Sequence, residues 1–363
     1  MDELRQAGRR IAADYDAMAY ETHADPYLTP RVLLGFGAVF NCPGAFGDVL
    51  DLGCGPGMQL LQAAPEMTGR LAGADISPEN CRQARARLAP FGARAQIHCG
   101  DVLDLTPEML GQFDLIYAIG LVFAVPPAVR AHVLALIGAC LRPGGVALIS
   151  HYAGSMARTR AELHRLVREA VPAALAPHEA VAVAREILPR LAQAPELQEA
   201  GRLTASLPDS TFFHEVFNPF CGPVTLAELD AELAKTGVRF LGHLEEPASG
   251  LKPSPEARVA ASDAADEAGV SYHYALFGKG ARPPDLTAPH GAWSTVLRPA
   301  GGAFYRNGDQ MVDIAHGPTR AALNAIGLRP LPFLEATPPQ EREVTARLFR
   351  ELWGAKLVTP LRI

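Results

Sequence analysis

The stretch Asp48-Val-Leu-Asp51-Leu-Gly53-Cys54-Gly55-Pro-Gly57-Met58 decides the fold. Its first half is a short apolar run, which reads as a buried strand. The three glycines then permit a tight turn and let the backbone approach a ligand with no Cβ in the way. Residues 58–64 read as a helix, whose N-terminus presents unpaired N–H groups at the turn. Strand, glycine turn and helix together make the opening unit of an α/β sheet with a ligand at its strand ends.

The same alternation continues downstream. Residues 70–75 form a second strand that ends on Asp75, with Ile76 just after it. Ser77-Pro78 opens a helix over 79–89, with Ser at the N-cap and Pro in the first helical position. Strands follow at 94–100 and 113–119, then a helix over 127–141 stopped by Pro143-Gly144-Gly145, then a strand at 146–150. Continuous apolar strands alternating with helices predict a parallel sheet covered on both faces, in a doubly wound layout.

Outside this core the pattern changes. Residues 2–13 read as a short helix of mixed charge, 14–30 as a loop carrying Tyr15, Tyr20 and His23, and 31–40 as an apolar helix. Residues 156–206 show two or three helices and no strand. Thr225 with Glu228 is a capping-box signature for a helix over 224–236. Strands are predicted at 238–244 and 271–279, with a loop or short helix between them. The domain reading is a core of 1–150 and 207–281, a helical insertion at 151–206, and a small separate α+β domain at 283–363.

Acids at successive strand ends carry the chemistry. Asp75 can accept both ribose hydroxyl protons, and Asp101 an adenine amino group, while Val102 offers its backbone N–H to the ring. Ile119 and Gly120 end the fourth strand beneath them. A pyrophosphate site would want backbone donors or a cation at position 51, not the carboxylate found there. A dinucleotide fingerprint would also need glycine where Met58 stands, so a nicotinamide oxidoreductase is disfavoured. The ligand expected is a nucleoside with an amino-acid tail.

Residues 48–150 resemble the core of class I S-adenosylmethionine-dependent methyltransferases. The flanks Tyr15–Tyr20, Ile119–Pro126, His214–Asn218 and 293–363 resemble methyltransferases with a regulatory domain, including rickettsial outer-membrane-protein lysine methyltransferases. The resemblance implies a Rossmann-like sheet of seven strands, a helical middle region, a winged-helix-like C-terminal domain and S-adenosylmethionine as cofactor. It implies a cofactor set of Asp51, Gly53, Cys54, Gly55, Gly57, Asp75, Ile76, Asp101, Val102, Ile119, Gly120, Tyr15 and Tyr20. Cys54 reads as a small packed residue, not a nucleophile. Leu121-Val122-Phe123 departs from the usual aromatic pair of that group, which bears on the acceptor and not on the donor.

The acceptor-side candidates are Tyr20 and His23 on the N-terminal loop, His151 and Tyr152 after the fifth strand, and His214 with Glu215 before the late helix. A histidine there suits a general base. Tyr272 and Tyr274 share one strand face and read as core packing. The reaction expected is methyl transfer to an N or O nucleophile of a protein, with lysine favoured, or of a small molecule. A non-catalytic donor-binding module is the rival from another class.

Composition narrows the partners. The 363 residues carry a formal net charge of -6, with 48% hydrophobic and 20% charged residues. A negative chain gains little from counterion release, so nucleic acid is not an expected partner. The six cysteines include no C-x-x-C pair, so no metal site is expected. No run of about 18 apolar residues appears, and Met1–Arg10 lacks the apolar segment of a signal peptide, so no membrane and a cytoplasmic location are expected. A homodimer is among the assemblies expected.

Overall fold

The structure, a computed structural model, describes residues 2–20, 28–244, 252–266, 272–286, 291–295, 298–301, 303–307 and 310–362. Helices α1 (Asp2–Ala17) and α2 (Pro30–Val39) precede the sheet. The core runs β1 (Val49–Leu52), α3 (Met58–Ala63), β2 (Leu71–Asp75), α4 (Pro78–Leu88), β3 (Ala95–Cys99), α5 (Pro107–Leu110), β4 (Phe113–Ala118), α6 (Pro127–Cys140) and β5 (Leu141–Tyr152). Four helices follow: α7 (Gly154–Ala170), α8 (Pro177–Leu191), α9 (Gln198–Ala205) and α10 (Asp209–Val216). Then come α11 (Leu226–Ala234), β6 (Val238–His243), α12 (Pro255–Asp266) and β7 (Tyr272–Lys279).

The seven strands are ordered β3-β2-β1-β4-β5-β7-β6. β1 to β5 pair in parallel, and β7 runs antiparallel between β5 and β6. β1 and β4 are buried along their whole length, as expected of central strands covered on both faces. One face packs Leu34, Val49, Leu71, Leu115, Val146 and Leu148; the other packs Leu50, Ile116, Val133, Ile137, Leu229 and Phe240. The order reverses between β1 and β4, and at such a switch point ligands bind outside the strand C-termini.

The Thr225 side chain accepts from the Glu228 N–H at 3.2 Å, and the Glu228 carboxylate accepts from the Thr225 N–H at 3.0 Å, so the capping box forms. The region α7–α10 packs around Leu163, Val167, Val181, Leu188, Phe212 and Val216. It therefore extends to Val216, past the boundary at 206 read from the sequence, because α10 buries Phe212 and Val216 against α7 and α8.

The C-terminal residues form β8 (Gly291–Thr295), β9 (Arg298–Gly301), β10 (Phe304–Asn307), β11 (Gln310–Asp313), α13 (Gly317–Leu328), α14 (Phe333–Ala336), α15 (Arg342–Gly354) and β12 (Val358–Arg362). β8 pairs with β12, and β9 to β11 make a separate antiparallel ribbon. The sequence reading of a separate unit needs correction. Trp353 of α15 stands edge-on to Phe36 of α2, with ring centres 5.1 Å apart, so this unit shares a core with the sheet.

Two further boundaries differ. α1 continues to Ala17, so Tyr15 sits on a helix and not on a loop. β5 starts at Leu141 and runs to Tyr152, so His151 and Tyr152 are strand residues. No described helix is long and apolar enough to cross a membrane.

Candidate active site at the strand C-termini

A cavity of about 540 Å³ opens above the C-terminal ends of β1, β2, β4 and β5. Its floor is the glycine turn. Gly53, Gly55 and Gly57 have φ of 74°, 51° and 81°, the left-handed region that a Cβ disfavours. Gly53 and Gly55 line the cavity, whereas Gly57 caps α3 and packs against Ala84.

Asp75 lines the wall above this turn. Its carboxylate accepts from the Gly55 N–H at 2.9 Å, the Ser77 N–H at 2.9 Å and the Asn80 side-chain amide at 3.2 Å. Burial raises its pKa, and these three donors partly offset that rise. The donors lock the carboxylate in one orientation. Ile76, Asp101 and Val102 continue the same wall, and Asp101 also caps the turn over Val102–Asp104 by accepting from the Leu103 N–H at 3.0 Å. Ile119 and Gly120 line the opposite side, and the Gly120 N–H donates to Ser150 Oγ at 2.8 Å.

Asp51 and Cys54 are buried at the turn and are not among the residues that line the cavity. Asp51 is 3% exposed, and no hydrogen-bond donor serves its carboxylate among the described residues. Burial, and then the negative charge of Asp75, push its pKa up to about 8. Cys54 is packed and its thiol pKa is raised by burial, in keeping with a structural role.

α1 closes the cavity from above with Leu4, Gly8, Ile11 and Tyr15. The sequence reading gave only Tyr15 of these to the site. A Cβ on Gly8 would stand 3.1 Å from Ile76 and 3.3 Å from the Asp101 carboxylate, so the helix approaches the wall of Ile76 and Asp101 through this glycine. Gly8→Leu should weaken nucleoside binding by about tenfold or more, since overpacking a fitted wall costs about 1–3 kcal/mol. Calorimetry on the variant, with its melting temperature as control, checks this; an unchanged affinity would mean α1 does not form the wall in solution.

The far end of the cavity is aromatic. Phe123, Tyr152 and Tyr272 meet edge to face, with ring centres 4.6, 5.0 and 6.0 Å apart. Tyr20 and Tyr274 also line it, with Glu215 and Cys221. Tyr272 and Tyr274 pack against the hydrophobic core, as their spacing suggested, and also line the cavity. Phe123, from the stretch that departs from the usual aromatic pair, is one of these rings.

His214 lines the cavity from α10, stacked at 4.0 Å on Tyr15. Its Nε2 lies 2.6 Å from the Met18 carbonyl. A carbonyl only accepts, so Nε2 carries the proton and Nδ1 keeps its lone pair. Burial holds the imidazole pKa below its ordinary value, with the Met18 carbonyl opposing. Tyr152 donates to Glu215 at 2.8 Å.

His151 does not reach the cavity, which corrects its reading as a base. Strand alternation puts Tyr152 on the cavity and His151 in the core, fully buried. There His151 Nδ1 donates to the Val224 carbonyl at 2.9 Å, and Nε2 lies 3.2 Å from His243. His23 lies outside the described residues. Among the described residues, no group of three metal-ligating side chains could hold an ion.

The cavity wall carries Asp75, Asp101 and Glu215 and, among the described residues, no Lys or Arg. Together with the donorless carboxylate of Asp51 beneath it, this suits a cationic ligand with vicinal hydroxyls. S-adenosylmethionine, with its sulfonium, ammonium and ribose, fits that description.

Comparisons with known proteins agree. Residues 49–145 match a family model described as a methyltransferase domain. An uncharacterized protein of Rickettsia prowazekii is 27% identical over 142 residues, 38% of this chain and 56% of that protein. Carboxy-S-adenosyl-L-methionine synthase of Wolinella succinogenes is 29% identical over 145 residues, 39% of this chain and 58% of that enzyme. The matches thus span under two thirds of either relative. Among solved structures, PKMT2 from Rickettsia typhi superposes with a TM-score of 0.70 at 15% identity, covering 94% of this chain and 77% of that one. Its complex with AdoHcy gives 0.68 at 16%. From the glycine turn, the strand order and the family match, the chain carries a methyltransferase domain with the class I S-adenosylmethionine-dependent fold.

Proposed function

We propose that this protein transfers a methyl group from S-adenosylmethionine to a nitrogen or oxygen nucleophile, with the side-chain amine of a protein lysine as acceptor. The observation that carries the reading is a single cavity with nucleoside-binding acids at one end and an aromatic, lysine- and arginine-free end beyond them. The name of the neighbour from Rickettsia typhi and the resemblance to rickettsial lysine methyltransferases support the choice of lysine. A small-molecule amine is the alternative acceptor. A non-catalytic donor-binding module is the rival reading, and the aromatic contact of Phe123 with Tyr272 at the far end of the cavity supports catalysis over it.

When bound, S-adenosylmethionine supplies a methyl group activated by its sulfonium. Asp75 would hold the ribose hydroxyls, Asp101 and the Val102 N–H the adenine, and the Gly53–Gly55 turn the amino-acid tail. A cavity of about 540 Å³ takes one drug-sized ligand, so the space left suits a slender side chain. The rings of Tyr20, Phe123, Tyr152 and Tyr272 suit an arriving ammonium through cation–π attraction. An amine must lose a proton before it attacks. His214, neutral with a free Nδ1 lone pair, is the proton acceptor suited to this role. Closing the wall with α1 and α10 keeps water from the reacting atoms.

The test is calorimetric titration of the full chain with S-adenosylmethionine and with S-adenosylhomocysteine. Micromolar binding of either is expected, followed by label transfer from a methyl-labelled donor to lysine-rich proteins. No binding by folded protein would reject the donor site. Binding with transfer to small amines only would move the acceptor to the alternative.

A further inference from the structure

Arg160 stands behind the aromatic end of the cavity without lining it. It belongs to α7, in the helical region, yet its side chain is 10% exposed and its Nη2 lies 2.5 Å from Glu215 Oε2. The other carboxylate oxygen, Oε1, accepts the Tyr152 hydroxyl at 2.8 Å. The guanidinium carbon sits 5.1 Å over the Tyr152 ring. One arginine therefore binds the acid and stacks on the tyrosine that the acid binds. Three elements far apart in the chain, β5, α7 and α10, meet in this one unit.

From this geometry we infer that Arg160 is a positioning residue: it keeps Glu215 a carboxylate and fixes the Glu215–Tyr152 pair as one rigid piece of the acceptor wall. The inference rests on the reading of that end as the acceptor site. A buried carboxylate with no counter-charge takes up a proton, and a neutral carboxyl carries an O–H donor on one of two oxygens that now only accept. Among the described residues, Arg160 is the cation hydrogen-bonded to Glu215, and the other groups around it add no second charged bond. Tyr15, Tyr20, Tyr152 and Cys221 are neutral, and burial raises the pKa of each. His214 and His164 are both held neutral, chiefly by burial. Arg168, also on α7, is a cation but donates to the Val216 carbonyl at 2.6 Å and not to Glu215. With both oxygens engaged, Glu215 orients the Tyr152 hydroxyl, and the proposed proton acceptor is His214.

The test reads the charge of Glu215 directly and needs no acceptor. Isotope-edited infrared difference spectra of glutamate-labelled full-length protein are recorded against pH, with Glu215→Gln assigning the band. In the wild type the band should remain that of an ionised carboxylate through neutral pH. In Arg160→Met a protonated-carboxyl band should appear near neutrality, while Arg160→Lys, which keeps the charge but not the fork, should retain the ionised band. Affinity for S-adenosylhomocysteine should stay within about twofold, because Arg160 does not line the cavity. A folded Arg160→Met protein with Glu215 still ionised would overturn the inference. If Arg160→Met fails to fold, Arg160→Gln, which keeps a donor but drops the charge, is read with the same two outcomes. Absence of S-adenosylhomocysteine binding in the wild type would reject the proposed function, while the infrared band would still decide whether Arg160 holds Glu215 ionised.

Discussion

Asp75→Ala weakens binding of S-adenosylhomocysteine by about 1–3 kcal/mol, roughly 5- to 150-fold, the cost of unpairing polar groups in a buried site. The size follows from how the carboxylate is held. Gly55, Ser77 and Asn80 spend their donors on it, which leaves about one lone-pair site on a carboxylate that lines the cavity. Alanine removes the acceptor for the ribose and also strands those three donors. Asp75→Asn separates the two effects, since it keeps the volume and one acceptor but cannot accept from every donor at once. Affinity is read by calorimetry and folding by circular dichroism. An unchanged affinity in folded Asp75→Ala would reject the ribose role of this residue.

The donor end was legible in the sequence because its signals are local. A glycine turn after an apolar strand, and acids at two later strand ends, need only the knowledge that parallel strands end on one side. The acceptor end was less legible because it is assembled from distant segments. Strand alternation assigns His151 and Tyr152 to opposite faces, yet only the strand's packing decides which face meets the cavity. Tyr272 and Tyr274 show the same limit: their spacing of two places them together but does not distinguish a core from a cavity wall. Gly8 left no trace in the sequence, since its importance comes from the approach of α1 to Ile76 and Asp101. The contact of Trp353 with Phe36 joins what the sequence reading took for separate units, because no local signal tells which distant face a helix residue will meet.

Donor affinity rises with pH up to about 8, and Asp51 is the reason. In the free protein its pKa is pushed up to about 8, first by burial and then by the charge of Asp75. At neutral pH the group is mostly protonated. A ligand bearing positive charge in the cavity favours the ionised form, so binding releases a proton. Affinity then increases with pH for as long as the free protein still holds that proton, by at most about tenfold per pH unit, and levels off above about 8. S-adenosylmethionine, with two positive charges, should show the steeper slope, and S-adenosylhomocysteine, with one, the shallower. The sign for stability is opposite. The folded pKa lies above the unfolded value of about 3.9, so the stability from protonated Asp51 is complete below that value and is lost as pH rises through about 8. Asp51→Asn removes both effects together. Its melting temperature should gain on the wild type as pH is raised towards 9, while its donor affinity loses its pH dependence below 8. A variant that kept the full slope would show that another group binds the linked proton. Asp75 is the nearest such carboxylate and also has a pKa raised by burial, so Asp75→Asn measured on the same pH series decides between them.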